Sequence, residues 1–360
     1  LFRKGIFMPD INMLSSADKV KAQGVLSAYI EQVRLVKHGL NENYNVMVNN
    51  LKFCDIMHYH TIDFKFFLSL PFAKLHGSTV AYVHFVPETL EESIKLPRLI
   101  KKVFYKYVIW FYKSVDYLVV VNPYFIDVLK KYNIDKSKIT YIPNYVSEED
   151  FYVYEKEKID DIKKQLNIPR DKFVVLGVGQ VQTRKGILDF IQVAKKLPDV
   201  QFIWAGGFSF GSITYGYKEL KSIMGDPPGN VKFTGIISRK KMNDIYNAAD
   251  LMFLPSYNEL FPMSILESMA LGKPVLVRDL SIYHSILLNY YLKGKNVNEF
   301  TEIINKIRND NHMYESCCKS SWQCHELYSK KHVLKMWKNF YDNVYYNQSR
   351  IKLRSRLNEK

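Results

Sequence analysis

Leu254-Pro-Ser-Tyr-Asn-Glu-Leu-Phe-Pro-Met-Ser-Ile-Leu-Glu-Ser-Met-Ala-Leu-Gly-Lys-Pro-Val275 carries the pattern that decides the fold. An apolar run, Leu251 to Leu254, reads as a buried strand. The loop after it carries Glu259, and a helix is predicted to start at Phe261 or Pro262, because proline is pre-organised for a first helical turn. Gly272 and Pro274 then end that helix and a second apolar run follows at Pro274 to Val277. Strand, helix and strand in such close succession describe a parallel crossover. The first-turn amides, at Met263 and Ser264, point out of the helix start and make an anion site. Glu259 lies just before that start. Glu267 sits eight positions later among Ile265, Leu266, Met269, Ala270 and Leu271, where a buried acid needs a partner. Sugar and ribose hydroxyls would suit both carboxylates.

Upstream, Val175-Leu-Gly-Val-Gly-Gln-Val-Gln-Thr-Arg-Lys-Gly-Ile187 repeats the arrangement of strand, loop and helix. Gly177 and Gly179 let backbone come close to a phosphate, and Arg184 and Lys185 can neutralise a diphosphate. Gly186 opens the next helix. A dinucleotide fingerprint would need a third glycine where Gln182 stands and an acid at a strand end, whereas Asp199 precedes a strand.

Similar runs recur along the chain. In the first half they are Gly5 to Met8, Asn45 to Val48, Asp55 to Tyr59, Thr79 to Val86, Tyr117 to Val121 and Ile139 to Ile142. In the second half they are Phe173 to Val178, Val200 to Ala205, Val231 to Gly235, Leu251 to Leu254 and Pro274 to Val277. Apolar strands alternating with helices indicate α/β units with parallel sheets covered on both faces. The 360 residues suit two domains at roughly 150 residues each. The acid-rich segment Ser147 to Asp171 reads as the connector. We place residues 1–165 in one unit and 166–335 in the other, with the helix 336–360 packing back on the first. A ligand site at the carboxyl ends of facing sheets would lie in the cleft between them.

These residues resemble the retaining glycosyltransferases of family four, whose fold is GT-B, two facing Rossmann-like domains. Glu259 to Glu267 matches their E-x7-E motif, the Gly-loop-Arg-Lys-Gly segment their diphosphate loop, and Ile142-Pro-Asn-Tyr-Val the end of their first domain. The resemblance implies that Glu259 and His84 (in Tyr82-Val-His-Phe-Val-Pro) lie beside the donor sugar as the catalytic pair. It puts Glu267 on the ribose and Arg184 and Lys185 on the diphosphate. Gly24, Gly179, Phe261, Pro262, Met263 and Ser264 would line the UDP-sugar. Two departures stand out: Pro262 replaces a usual glycine and removes an amide donor, and Gln180 replaces a usual arginine, leaving Arg184 to supply that charge. No Asp-x-Asp occurs, which argues against a metal-bound donor, and no cofactor is expected; UDP-sugar is the substrate. No nucleophile is assigned.

Lys and Arg number 51 against 36 Asp and Glu, a net +15. Such a surface attracts nucleic acid, nucleotide phosphates or an acidic membrane. The clearest basic feature runs from Lys95 to Lys113. Leu96, Leu99, Ile100, Val103, Phe104, Tyr107, Val108 and Phe111 are spaced as one helix face. Lys95, Arg98, Lys101, Lys102, Lys106 and Lys113 supply cations and Trp110 a ring at the boundary. Either the apolar stripe packs on the first sheet or the helix lies on an anionic membrane, and the two are compatible. The pattern Gly24-Val-Leu-Ser-Ala-Tyr-Ile-Glu-Gln-Val, with His58-Tyr-His-Thr61, resembles bacterial diacylglycerol-glycolipid synthases that add a second hexose to monoglucosyl-diacylglycerol. That resemblance implies a glycolipid acceptor and a peripheral place on the cytoplasmic face of the membrane. A soluble or polymer acceptor, such as a capsule or teichoic-type precursor, stays open.

No apolar run approaches the roughly 18 residues of a membrane span. Four cysteines are too few for a disulfide scaffold and fit a reducing compartment. His312, Cys317, Cys318, Cys324, His325 and His332 match no zinc-ligand spacing, so no metal is expected. His58 and His60 share one strand face, and His60 near the strand end is a further candidate for the site. Nucleic acid is not an expected partner: the cations are spread along the chain, and a nucleic-acid module would leave the carboxylate pair and phosphate loop unexplained.

Overall fold

The computed structural model describes residues 8–16, 24–87, 97–209, 211, 214, 216–259 and 261–358; side chains at 24–27, 98 and 350–358 lie outside that description. Two parallel sheets organise it. The first holds β1 (Asp10–Leu14), β2 (Asn45–Val48), β3 (Ile56–Tyr59), β4 (Ser78–Val83), β5 (Tyr117–Val120) and β6 (Ile139–Tyr141), in the order β2-β1-β3-β4-β5-β6. The second holds β7 (Val174–Val178), β8 (Gln201–Ala205), β9 (Val231–Gly235), β10 (Leu251–Leu254), β11 (Val275–Arg278) and β12 (Leu292–Gly294), in the order β12-β11-β10-β7-β8-β9. Strands β3, β4, β8, β10 and β11 are buried at every position, as sheets covered on both faces require.

Strand order reverses between β1 and β3 in the first sheet and between β7 and β10 in the second. At such a switch the crossovers leave in opposite directions and open a crevice past the carboxyl ends. The loops after β7 and β10 are the two stretches read first from the sequence, so the topology sets them side by side.

The structure corrects several local expectations. The first strand among the described residues is Asp10–Leu14; of the expected run Gly5 to Met8, the first three residues lie outside the described part and Met8 is in no strand. Asp10 and Asn12 hide its apolar period. Asn12 is fully buried because its amide donates to the carbonyls of Asn50 (2.7 Å) and Lys52 (3.1 Å). The short edge strand β12 has no apolar run to announce it. The helix after Glu259 is Met263–Met269, with Pro262 as its extended N-cap rather than its first residue.

In the basic helix, Arg98–Ser114, the second half supplies the buried residues Val108, Ile109, Phe111 and Tyr112, with Phe104 and Tyr107 partly buried beside them. Leu99, Ile100 and Val103, spaced on the same apolar stripe, are 75%, 55% and 62% exposed.

The helix Lys156–Gln165 packs against Arg239–Ala248 of the second unit, and the last helix, Lys330–Asn358, packs on the helix Gly24–Gly39 and on β4. Trp337 and Tyr341 of that last helix cover His58, whose Nδ1 lies 2.9 Å from the Tyr341 hydroxyl. The two units also meet directly. Asn122, after β5, donates to the carbonyl of Ile282 (3.1 Å) and accepts from the Ser285 hydroxyl (3.1 Å).

Candidate active site

Strand β7 runs out at Val178 into a turn that carries Arg184 and Lys185, while β10 delivers Pro255 to Glu259 from the neighbouring strand. Gly186 lets the two loops touch. Its φ is +71°, and a Cβ there would sit 2.3 Å from the carbonyl oxygen of Pro255, so neither conformation nor space admits a side chain. The contact is completed by Tyr257 N–H donating to the carbonyl of Arg184 (2.8 Å). The β10 loop is also held from behind. Arg278 of β11 donates to Pro255 O (3.1 Å), pairs with Asp189 and lies 4.0 Å over the Tyr257 ring, whose hydroxyl donates to the same carboxylate (2.8 Å).

Inside this frame Lys185 Nζ donates to Glu259 Oε1, and Arg184 lies 4.0 Å from Oε2 while donating to Asn258 O (3.0 Å) and Gln182 Oε1 (2.9 Å). Lys185 and Glu259 are 8% and 6% exposed, so the cations are not simply solvated. Burial alone would push the Glu259 carboxyl up, but Lys185 and Arg184 outweigh it and hold the group below the usual carboxylate range. Burial, with Arg184 beside it, draws the Lys185 ammonium below its usual value against the pull of Glu259. Two cations facing one carboxylate leave one positive charge uncompensated in a partly dry cleft, where Coulomb attraction for an anion is strongest.

Gly179 stands beside Lys185 at φ +148°. Its N–H donates to Ala205 O (3.0 Å) and its carbonyl accepts from the Trp204 indole (3.0 Å). Both its backbone groups therefore have protein partners. Past Glu259, Ile265 N–H bonds Pro262 O (3.0 Å), which places the amides of Met263 and Ser264 ahead of the helical ladder. Phe261 is buried edge-on against Tyr328, at 5.2 Å between ring centres.

Glu267 is buried and already has protein partners: Oε1 accepts from Arg239 (3.0 Å) and Oε2 from the Tyr246 hydroxyl (2.7 Å). Arg239 also pairs with Glu31 of the first unit.

From the first unit, His84 follows the end of β4 and is buried, with its ring 4.4 Å from Tyr82 and 5.9 Å from His60. Burial pushes its imidazole down to about 3, so it is neutral at ordinary pH, and Nε2 lacks a hydrogen-bond partner. His60 lies between His58 (4.4 Å) and Tyr29 (4.8 Å) with neither ring nitrogen hydrogen-bonded. His58 is a core residue. Gly24 begins the helix Gly24–Gly39, and the loop before it, 17–23, lies outside the described residues. So does Lys95 of the basic feature; Arg98 is placed in its helix by backbone alone. Lys102, Lys106, Lys113 and Trp110 are exposed, and Lys101 is half-buried. All four cysteines are free, and no group of three potential metal ligands occurs among the described residues.

Two family models match the chain: Glycosyltransferase Family 4 over residues 47–150 and Glycosyl transferases group 1 over 158–321. An alpha-galactosylglucosyldiacylglycerol synthase of Streptococcus pneumoniae is 43% identical over 332 residues, covering 92% of this chain and 89% of that protein. The chain belongs to the glycosyltransferases. A processive diacylglycerol alpha-glucosyltransferase of Acholeplasma laidlawii is 30% identical over 230 residues, 63% of this chain and 68% of its own length. Among solved structures, Anabaena HepE in complex with UDP-glucose superposes with a TM-score of 0.74 over 93% of this chain and 100% of its own, at 14% identity. That likeness concerns the GT-B fold.

Four residues that shape this glycosyltransferase's cleft carry no local sequence signal: Arg239, Glu31, Arg278 and Asp189. Tyr283 is a fifth. It is fully buried, its hydroxyl lacks a hydrogen-bond partner, and burial with the nearby Glu259 charge raises it well above its usual value. Lys185→Met should destabilise the enzyme by about 3 kcal/mol, because Glu259 stays buried without its direct partner. Urea denaturation of the two proteins measures this, and an unchanged midpoint would contradict it.

Proposed function

We propose that this glycosyltransferase moves a hexose, with retention, from a UDP-sugar (glucose or galactose) to a membrane glycolipid such as glucosyl-diacylglycerol. The observation that carries the reading is the buried Lys185–Glu259–Arg184 cluster with its surplus positive charge at the switch point of the second sheet. When the bond between sugar and diphosphate breaks, negative charge grows on the leaving group. Cations fixed in advance, in a site of low polarity, favour that state over the ground state. In this reading Arg184 and Lys185 hold the diphosphate. Glu259 aligns Lys185 and accepts from donor-sugar hydroxyls. Glu267 accepts from the ribose with the lone pairs that Arg239 and Tyr246 leave open. The neutral imidazole of His84 reaches the sugar from the first unit without adding charge. Because Lys185 and Arg184 supply the positive charge, the scheme requires neither metal nor cofactor.

The acceptor reading is supported by the Streptococcus and Acholeplasma relatives, both diacylglycerol glycolipid enzymes by name, and by the surface of the first unit. The helix Phe64–His76 exposes Phe64, Leu68, Phe72 and Leu75 in one row, 56–78% accessible. Phe67 meets Trp110 at 4.4 Å, joining that helix to the basic helix, on which Leu99, Ile100 and Val103 are exposed too. Lys65, Lys102, Lys106 and Lys113 stand exposed around it. An apolar patch with lysines around it suits the interface of an anionic bilayer. No helix among the described residues is long and apolar enough to cross a membrane. In this reading the exposed apolar face seats the enzyme peripherally, on the cytoplasmic face of the membrane. Nucleic acid has no part in this reading.

UDP-glucose and UDP-galactose, each offered with diacylglycerol and glucosyl-diacylglycerol in anionic micelles, test the reaction. Hexose transfer to the glycolipid is expected, and it should fall about a hundredfold or more in Arg184→Ala/Lys185→Ala with the circular dichroism spectrum unchanged. Transfer only to soluble acceptors, or wild-type rates in the double variant, would refute the assignment. For the surface, Leu68→Glu/Phe72→Glu should cosediment with anionic vesicles at least about tenfold less than the unsubstituted chain. Equal sedimentation would remove the membrane role of that face.

A further inference from the structure

Arg239 stands where three segments that set the cleft converge. Its guanidinium donates through Nη1 to Glu267 of the second unit (3.0 Å) and through Nη2 to Glu31 on the helix Gly24–Gly39 of the first. The same group lies 5.0 Å over the ring of Phe151, in the connector between the sheets, and Phe151 in turn packs edge-on against Tyr246 at 5.8 Å. One residue before Phe151, Asp150 pairs with Arg34 (2.6 Å), one turn along the same first-unit helix from Glu31.

The charge count at this junction is unusual. Glu31 and Glu267 are 1% and 6% exposed and share one guanidinium. Oε2 of Glu31 and Nε of Arg239 are buried without hydrogen-bond partners. Burial pushes the Glu31 carboxyl above its usual range even with Arg239 beside it. A buried carboxylate held this way costs stability relative to an apolar residue of the same size. Its contribution is geometric instead: a planar fork can bind two carboxylates at once only when both are correctly placed.

We propose that Arg239 is a positioning residue that couples closure of the two units to the donor site, with Glu31 as its contact on the opposite unit. One arm fixes the rotamer of Glu267. The other draws in the helix that leaves β1 at the switch point of the first sheet. Formation of the second contact brings the first unit, with His84, onto a donor held by the second. This rests on Glu267 as a nucleotide ligand.

The full chain is tested with UDP in calorimetry and with whichever UDP-hexose it turns over in the micelle assay. Glu31→Gln keeps the shape and removes the charge. It should bind UDP within about twofold of wild type yet lose about tenfold or more in kcat, since the partner of Glu31 on the donor unit is Arg239. Arg239→Lys, a point charge, should lose kcat similarly and weaken UDP binding about tenfold, because Glu267 is released as well. The double variant should be no slower than Arg239→Lys alone. Melting temperatures separate a structural role, and Glu31→Gln should melt no lower than wild type. Wild-type kcat in Glu31→Gln, or multiplying losses in the double variant, would overturn the coupling while UDP binding stands. Wild-type protein that fails to bind UDP would defeat the nucleotide reading, and the coupling with it.

Discussion

Arg184 and Lys185 face one buried carboxylate, Glu259, and the cleft is built to keep that unequal count in place. Charges out of water are tolerated only when their partners are fixed. Each constraint around the site serves that end. Gly186 admits the Pro255 carbonyl, Tyr257 ties one loop to the other, and Arg278 with Asp189 braces the β10 loop from the side away from the cleft. The parallel topology supplies the rest, because only adjacent strands on either side of a reversal bring two such loops together.

A site built in one unit still needs the other to reach it. Polar contacts between the units include Asn122 with Ile282 and Ser285, and the fork of Arg239 across to Glu31. Polar contacts of this kind depend strongly on geometry and contribute little net stability, so they suit surfaces that part and meet again. The first unit carries two further features. Its imidazole at His84 is kept neutral by burial, and its helix Phe64–His76 leaves Phe64, Leu68, Phe72 and Leu75 exposed.

How much of this was legible in the chain follows from the range of each interaction. Glu259, Glu267, Arg184 and Lys185 could be read because strand, loop and helix signals are local and surround them. Arg239 could not: its partners lie 28 and 208 positions away, and its own surroundings, Ser-Arg-Lys-Lys, look like a solvated helix start. Arg278 and Asp189 are 89 positions apart and equally silent. Asp10 and Asn12 concealed a strand, since polarity signals a loop unless a buried partner is already known. In the helix Arg98–Ser114 periodicity found the apolar residues, but spacing alone cannot say whether protein or lipid covers them. Among the described ones, Phe104, Tyr107, Val108 and Phe111 pack on the core, while Leu99, Ile100 and Val103 are exposed. The place of His58 in the core was silent for the same reason, since the last helix brings Tyr341 to it from the far end of the chain.

The central claim is that the Lys185–Glu259–Arg184 cluster is a diphosphate site, and comparing UDP with uridine by calorimetry isolates it. The account predicts that UDP binds about a hundredfold tighter or more, the added affinity coming from charge-assisted bonds to the two cations. Equal affinities for UDP and uridine would contradict it.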